Sequence, residues 1–346
     1  MEKKVRKSNI ELLRILLIVM VIVLHFNNGE MGGGFANASG TNYRMLQLFE
    51  AFSICAVDTF VLISAYFLSG TQKRNMLKSI SLIGLTSGYK LVTYLIQVFY
   101  LKQAEFTLRD FIFNVIPNNW FVILFCVLYI ISPYINILMD NLDKEQFKKC
   151  LITLVLLFAV YPTVMETLAQ LVLGSPEIAG MGTVTTQGSM SGYTIVNFVL
   201  MYFIGGYLRK YPPKSSKWLY ALCYVAFVLC DFAFAHISSG YTSYANVFVI
   251  AEAVTLFLAF YNINIGYSKV INTISGSVFG VYILHTCGLF IGTFWSYFNI
   301  PDMVNMPIIN MLGHMVAAVG AMFVVCLAID MVRRCILKLL QYCIHK

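Results

Sequence analysis

The stretch Ile10-Glu-Leu-Leu-Arg-Ile-Leu-Leu-Ile-Val-Met-Val-Ile-Val-Leu-His-Phe26 decides the fold of this chain. It is almost uninterruptedly apolar and lacks period-two alternation, so it reads as a helix and not as a barrel strand. At 1.5 Å rise per residue, a run of this kind matches a hydrocarbon core about 30 Å thick. Lipid offers no hydrogen-bond partners, so the backbone must satisfy itself within the helix. Comparable blocks recur along all 346 residues, which are 59% hydrophobic and only 12% charged. A soluble domain keeps roughly a quarter of its residues charged. Blocks at 10–26, 45–68, 78–101, 119–139, 150–172, 193–208, 217–236, 244–262, 276–297 and 307–332 predict an all-α polytopic transmembrane helix bundle. The expectation is about ten helices in one integral membrane domain over 1–346, with no extramembrane domain and no internal repeat.

The first block follows Lys3, Lys4, Arg6 and Lys7 and superficially resembles a signal peptide. Glu11, Arg14 and His25 inside it, and the lack of a convincing small-residue cleavage site, make it a retained first helix. Basic residues then alternate along the chain. Lys73, Arg74 and Lys78 follow helix two, and Lys144, Lys148 and Lys149 follow helix four. Arg209, Lys210, Lys214 and Lys217 follow helix six, Lys269 follows helix eight, and Arg333, Arg334, Lys338 and Lys346 end the chain. The intervening loops hold only Lys102 and Arg109, with Arg44 at a helix edge. Lys and Arg collect on the cytoplasmic side, so both termini are expected there. The net charge of +8 is therefore topology and does not indicate nucleic acid. The nine cysteines lie mostly in apolar runs without metal spacing, and neither a disulfide nor a metal is assigned. Segments 27–43 and 173–192 are rich in Gly, Ser, Thr and Asn and read as flexible polar loops on the outer side.

Ionisable groups at bilayer depth are costly and are functional candidates by default. Arg14 and His25 are eleven residues apart, which is three turns plus about 20°, so they share one face about 16 Å apart along the axis. Glu11 lies one turn before Arg14 and can pair with it. Snorkelling of Arg14 and an interfacial, loop-bonded His25 are the bland alternatives, and the shared face weighs against both. Asp58 stands near the middle of helix two and His285 in helix nine. Lys90, Asp231, Glu252 and His314 also sit in or near spans, most simply as structural pairs; Lys90 has an acidic residue of another helix as one available kind of partner. Trp120 and Tyr129 suit an interfacial aromatic belt as well as a substrate wall.

Arg14, ten residues and His25, preceded by Glu11-Leu-Leu-Arg14, resemble the signature of the membrane-bound acyltransferase-3 family. Val57-Asp-Thr-Phe-Val-Leu-Ile-Ser-Ala-Tyr66 resembles its second-helix segment, Val-Asp-hydrophobic-Phe-Phe-x-x-Ser-Gly-Tyr. Asn119-Trp-Phe-Val-Ile-Leu with Tyr129 and Pro133, and Gly280-Val-Tyr-Ile-Leu-His285, resemble two later segments in the expected order. Ala65 replaces the usual Gly, a small-for-small change. Gln72-Lys-Arg-Asn75 replaces the Arg-x-x-Arg of some members, which weakens the case for Lys73 and Arg74 as donor contacts.

The resemblance implies acyl transfer from acyl-CoA, most often acetyl-CoA, to a hydroxyl of an extracytoplasmic carbohydrate. It implies His25 as general base, Asp58 orienting it or binding acceptor, and Arg14, Lys73 and Arg74 as donor contacts. Trp120, Tyr282 and His285 would touch substrate. The setting is a bacterial cell membrane; lipid and the two substrates are the partners, an oligomer is left open, and no metal is called for. An acyl-enzyme on Ser64 is a rival variant that needs a nearby base. A transporter or flippase is the competing class, although no repeat or interrupted helix pair is evident. A non-catalytic transport or sensing module, as when such domains are fused to other enzymes, is the third reading.

Overall fold

The structure, a computed structural model, describes residues 7–344. Lys3, Lys4, Arg6 and Lys346 of the basic pattern lie outside the described residues. In chain order the helices are α1 (Ser8–Asn27), α2 (Gly34–Asn37), α3 (Gly40–Ser53), α4 (Ala56–Leu68), α5 (Met76–Leu95), α6 (Leu108–Val115), α7 (Trp120–Asp140) and α8 (Lys144–Val155). They continue as α9 (Tyr161–Leu173), α10 (Ile195–Lys210), α11 (Lys217–Phe234), α12 (Val247–Tyr261), α13 (Lys269–Ser275), α14 (Val278–His285), α15 (Ile300–Met303) and α16 (Ile308–Ile344). Among the described residues there is no strand, only an isolated bridge between Thr185 and Gly188.

Among the described residues, eight helical stretches are long and apolar enough to cross a membrane: Ser8–Asn27, Gly40–Leu68, Met76–Tyr100, Leu108–Asp140, Lys144–Leu173, Lys217–Phe234, Ser239–Tyr261 and Ile308–Cys343. Lys269–His285 and Phe290–Phe298 make a ninth if taken as one span, but they are bent by 78°. The remaining expected block is α10, whose 16 residues fall short of a full crossing. The chain is thus a multi-pass α-helical membrane protein in which every expected block is helical.

Two details depart from the sequence expectation. An interrupted helix does occur, at the break between His285 and Phe290. Segments 27–43 and 173–192 also hold hydrogen bonds of their own: Gly33 N–H donates to Asn28 O (2.7 Å) and Gly180 N–H to Thr186 O (2.7 Å). Polar, glycine-rich composition signals irregular backbone, not necessarily a loose one.

The described chain divides into two compact units. One comprises the chain up to Leu46, Gly84–Asn118 and the chain from Ile265 onward; the other comprises Gln47–Ile83 and Asn119–Asn264. In the second, α10 packs closely on α4. A Cβ on Gly205 would stand 2.6 Å from that of Ala65, so the pair forms a small-residue contact that brings the backbones together. Basic side chains cap helix ends here, where carbonyls lack partners. Arg209 Nη1 donates to Tyr66 O and Phe67 O, and Lys210 Nζ to Met139 O and Leu142 O.

In the first unit, α1 packs against α13, α14 and α16. Gly276 and Gly280, one four-residue step apart, meet α16 at Arg334 and Asp330, also four apart; a Cβ on either glycine would strike those side chains. Asp330 is fully buried and accepts from Tyr89 Oη (2.7 Å) and from Arg333 Nη2 (2.7 Å). Arg334 Nη1 donates to Thr273 O and Ser277 Oγ. This small-xxx-small seam fixes the position of α14.

Candidate functional site

The amino end of α1 is tied to α13. Ser8 Oγ accepts from Ser268 N–H and Asn272 Nδ2, both at 2.9 Å, and Ser275 Oγ donates to Glu11 Oε2. Glu11 is buried, and its Oε1 lies 3.8 Å from Arg14 Nη1. The guanidinium is therefore aimed by a carboxylate that is itself held in place. Arg14 keeps a third of its side chain exposed.

At the other end of α1, His25 is partly exposed. Its Nδ1 lies 2.7 Å from Nε2 of His285, and the ring centroids are 4.8 Å apart. His285 is fully buried, with its Nδ1 2.7 Å from Val281 O. Both nitrogens of His285 are thus engaged, one with backbone and one with His25. Tyr282 lies edge-on to the His285 ring at 6.0 Å. The chain after α1 folds back on this end: Gly32 N–H donates to His25 O (2.9 Å), and a Cβ on Gly32 would collide with the Phe26 backbone. The glycine run Gly32–Gly34 is what permits that close return.

The other expected site residues lie in the second unit. Asp58 stands within the Gly40–Leu68 span, in the first turn of α4 just after a break at Cys55. It is fully buried, and its Oδ1 accepts from Asn197 Nδ2 (2.8 Å). Its Oδ2 has no hydrogen-bond partner among the described residues. A first-turn carboxylate gains from the helix dipole, and the unused oxygen leaves it acceptor capacity. Ser64 Oγ donates to Phe60 O of its own helix (2.9 Å).

Lys73 is exposed. Arg74 is committed internally: Nε donates to Ser132 Oγ (2.7 Å), Nη1 to Thr71 O (2.6 Å) and Nη2 to Leu68 O (3.1 Å) and Tyr202 Oη (3.3 Å). Its guanidinium also lies 5.6 Å from the Tyr129 ring centre. The residue closes the carboxy end of α4, a job that its sequence context did not reveal. Tyr129, whose Oη accepts from Asn75 N–H (3.1 Å), belongs to the same junction. Trp120 packs with Tyr193 (4.4 Å between centroids) and stacks with Tyr244 (5.9 Å). Beside Tyr244, a cleft is lined by Thr163, Glu166, Ser189, Ser238, Ser243 and Asn246.

Of the remaining polar residues, Lys90 donates to the neutral Asn118 Oδ1. Buried Asp231 accepts from Asn246 Nδ2 (3.2 Å), and Glu252 lies within electrostatic range of Asp231. His314 sits edge-on to Phe298 at 5.9 Å. All nine cysteines are unpaired, and among the described residues no three or more His, Cys, Asp or Glu converge as a metal site would require.

The residues of the first unit thus offer a part-exposed guanidinium and a part-exposed imidazole on one membrane helix, each held by a buried partner. A family model described as an acyltransferase domain, that of the acyltransferase-3 family, matches residues 7–331. No curated protein and no solved structure matches the chain. With nearly its whole length matched, the chain belongs to the acyltransferase-3 family of membrane acyltransferases.

Proposed function

We propose that the protein moves an acyl group, acetyl in the first instance, from cytoplasmic acyl-CoA to a hydroxyl of an extracytoplasmic polysaccharide or cell-wall glycan. The observation that carries the reading is His25: an imidazole in the family's signature position, part exposed, with one nitrogen held by a buried partner. Acyl-CoA is made in the cytoplasm while envelope sugars lie outside, and α1 spans that gap. The CoA phosphates bind at Arg14, whose always-charged fork suits them. The pantetheine arm extends along the about 16 Å from Arg14 to His25.

At His25 the acceptor O–H gives its proton to the imidazole as its oxygen attacks the thioester carbonyl carbon. The C–O bond forms, the C–S bond breaks, and the thiolate takes the proton back from His25, leaving an ester and CoA thiol. In the second unit, Asp58 with its unused Oδ2 and the aromatic face of Trp120 with Tyr193 and Tyr244 are candidate carbohydrate contacts. Ser64 is a poor rival nucleophile because its hydroxyl donates to a helix carbonyl. The basic-residue pattern supports cytoplasmic termini; the reading is of one catalytic membrane domain over 1–346 in a bacterial cell membrane.

The test is mass spectrometry of surface glycans from cells with and without the protein. A mass difference of one acyl group per modified sugar is expected. Identical glycans together with no CoA release from acetyl-CoA by the purified protein would overturn the reading. One observation favours a transporter instead, the 78° break between Lys269–His285 and Phe290–Phe298. Flux of a glycan precursor without CoA consumption would establish that alternative.

A further inference from the structure

Val281, His285 and His25 form a directed line of hydrogen bonds within the first unit. A carbonyl oxygen only accepts, so the 2.7 Å contact between Val281 O and His285 Nδ1 requires the proton on that nitrogen. In neutral imidazole the other nitrogen then carries the lone pair. That nitrogen, Nε2 of His285, lies 2.7 Å from Nδ1 of His25. His25 Nδ1 must therefore be the donor, and His25 Nε2 is left with an unprotonated lone pair.

We propose that His285 is a positioning residue that selects the Nδ1–H tautomer of His25 and so makes Nε2 the nitrogen that takes the acceptor's proton. The proposal rests on the reading of His25 as general base and adds which atom is basic and why. Which ring nitrogen is protonated is set by the hydrogen bond the other one makes. Without the acceptor on His285, nothing keeps the proton on Nδ1 or holds the ring in its orientation, and the imidazolium loses the partner that receives its Nδ1–H. When His25 gains its second proton, its Nδ1–H still points at the lone pair of His285. That bond becomes charge-assisted, roughly twice as strong as its neutral counterpart. The imidazolium is thereby stabilised at the moment it forms, by a neutral partner and without a buried carboxylate.

The fold supports this role. His285 is fully buried and ends α14, whose place is set by the seam of Gly276 and Gly280 on Arg334 and Asp330. The expected role of His285 as a substrate contact is not needed, since both its nitrogens are already in use.

The experiment combines nitrogen NMR of ¹⁵N-histidine-labelled protein in micelles with CoA release from acetyl-CoA, quantified by mass spectrometry. The His25 resonances are assigned by their loss in His25→Asn. The wild type is expected to show His25 as the Nδ1–H tautomer. His285→Phe, which keeps ring volume but removes the acceptor, should shift that tautomer balance. It should lower kcat by about 10²–10⁴-fold, the range of a positioned general base, with KM for acetyl-CoA held within about twofold of wild type. His285→Gln, whose Oε1 can accept from Nδ1–H, should recover at least about tenfold of that loss. An Nε2–H tautomer in the wild type overturns the proposal and needs no variant to fold. Wild-type kcat in His285→Phe overturns it as well, while an inactive His25→Ala alongside leaves the base reading standing. Full activity in His25→Ala removes the base reading itself.

Discussion

Replacing Arg74 with alanine separates two readings of one residue. The motif context makes it a donor contact, whereas the structure spends its guanidinium on the fold. Nε, Nη1 and Nη2 donate to Ser132 Oγ, Thr71 O, Leu68 O and Tyr202 Oη at 2.6–3.3 Å. Asn136 Nδ2 also donates to Leu68 O (3.0 Å) and Thr71 O (2.8 Å), so neither carbonyl is orphaned by the substitution. The loss is then close to the net worth of a charge-assisted hydrogen-bonding group, about 1.5–3 kcal/mol, and not several times that. This corresponds to roughly a 10- to 150-fold shift in the unfolding constant. Equilibrium unfolding of the purified variant in mixed micelles, followed by circular dichroism, measures it. Arg74→Lys should recover only part of the stability because a single ammonium cannot reach all four acceptors. The KM for acetyl-CoA in the folded fraction should stay within about twofold of wild type. Unchanged stability with a KM raised tenfold or more would refute the reasoning and return Arg74 to the donor site.

Three other outcomes follow from the geometry. Arg14→Ala should weaken CoA binding by roughly 10- to 150-fold, the worth of a charge-assisted contact; titration calorimetry with CoA that shows an unchanged Kd would leave Arg14 a partner of Glu11 only. Gly280→Leu should destabilise the first unit by about 1–3 kcal/mol, as overpacking does, because even a Cβ there would stand 2.8 Å from that of Asp330; an unfolding curve superimposable on wild type would argue against the seam. Cysteines introduced at 180–190 should react with an impermeant reagent on intact cells and those at 211–216 should not; labelling of the latter would reverse the orientation.

What could be read from the sequence was whatever the bilayer or the helix period imposes locally. The length of the apolar runs located the long helices, though not the short α2, α6, α13 and α15 between them, and the eleven-residue spacing put Arg14 and His25 on one face. Glu11 was legible as the partner of Arg14 because the pair is one turn apart. His285 was visible as part of Gly280-Val-Tyr-Ile-Leu-His285, but its contact with His25 spans 260 positions, and no local pattern reports such a pairing. The glycines carried a signal that was passed over. Gly276 and Gly280 have the spacing of a close helix contact, and Gly32–Gly34 mark a tight return over His25. The role of Arg74 was hidden for a different reason. Its acceptors are backbone carbonyls at a helix end, which exist as a target only once the chain has turned. The partner of Lys90 was not legible because an amide such as Asn118 and a carboxylate can both accept from an ammonium, and sequence does not say which of them lies near.

The most direct test of the central claim is CoA release from acetyl-CoA by purified wild type and His25→Ala, with a surface glycan as acceptor. Removal of a positioned general base costs roughly 10²–10⁴-fold in turnover. The account predicts acceptor-dependent release by the wild type and a loss of that size in His25→Ala, with CoA affinity and folding unchanged. Turnover within tenfold of wild type in folded His25→Ala would contradict it.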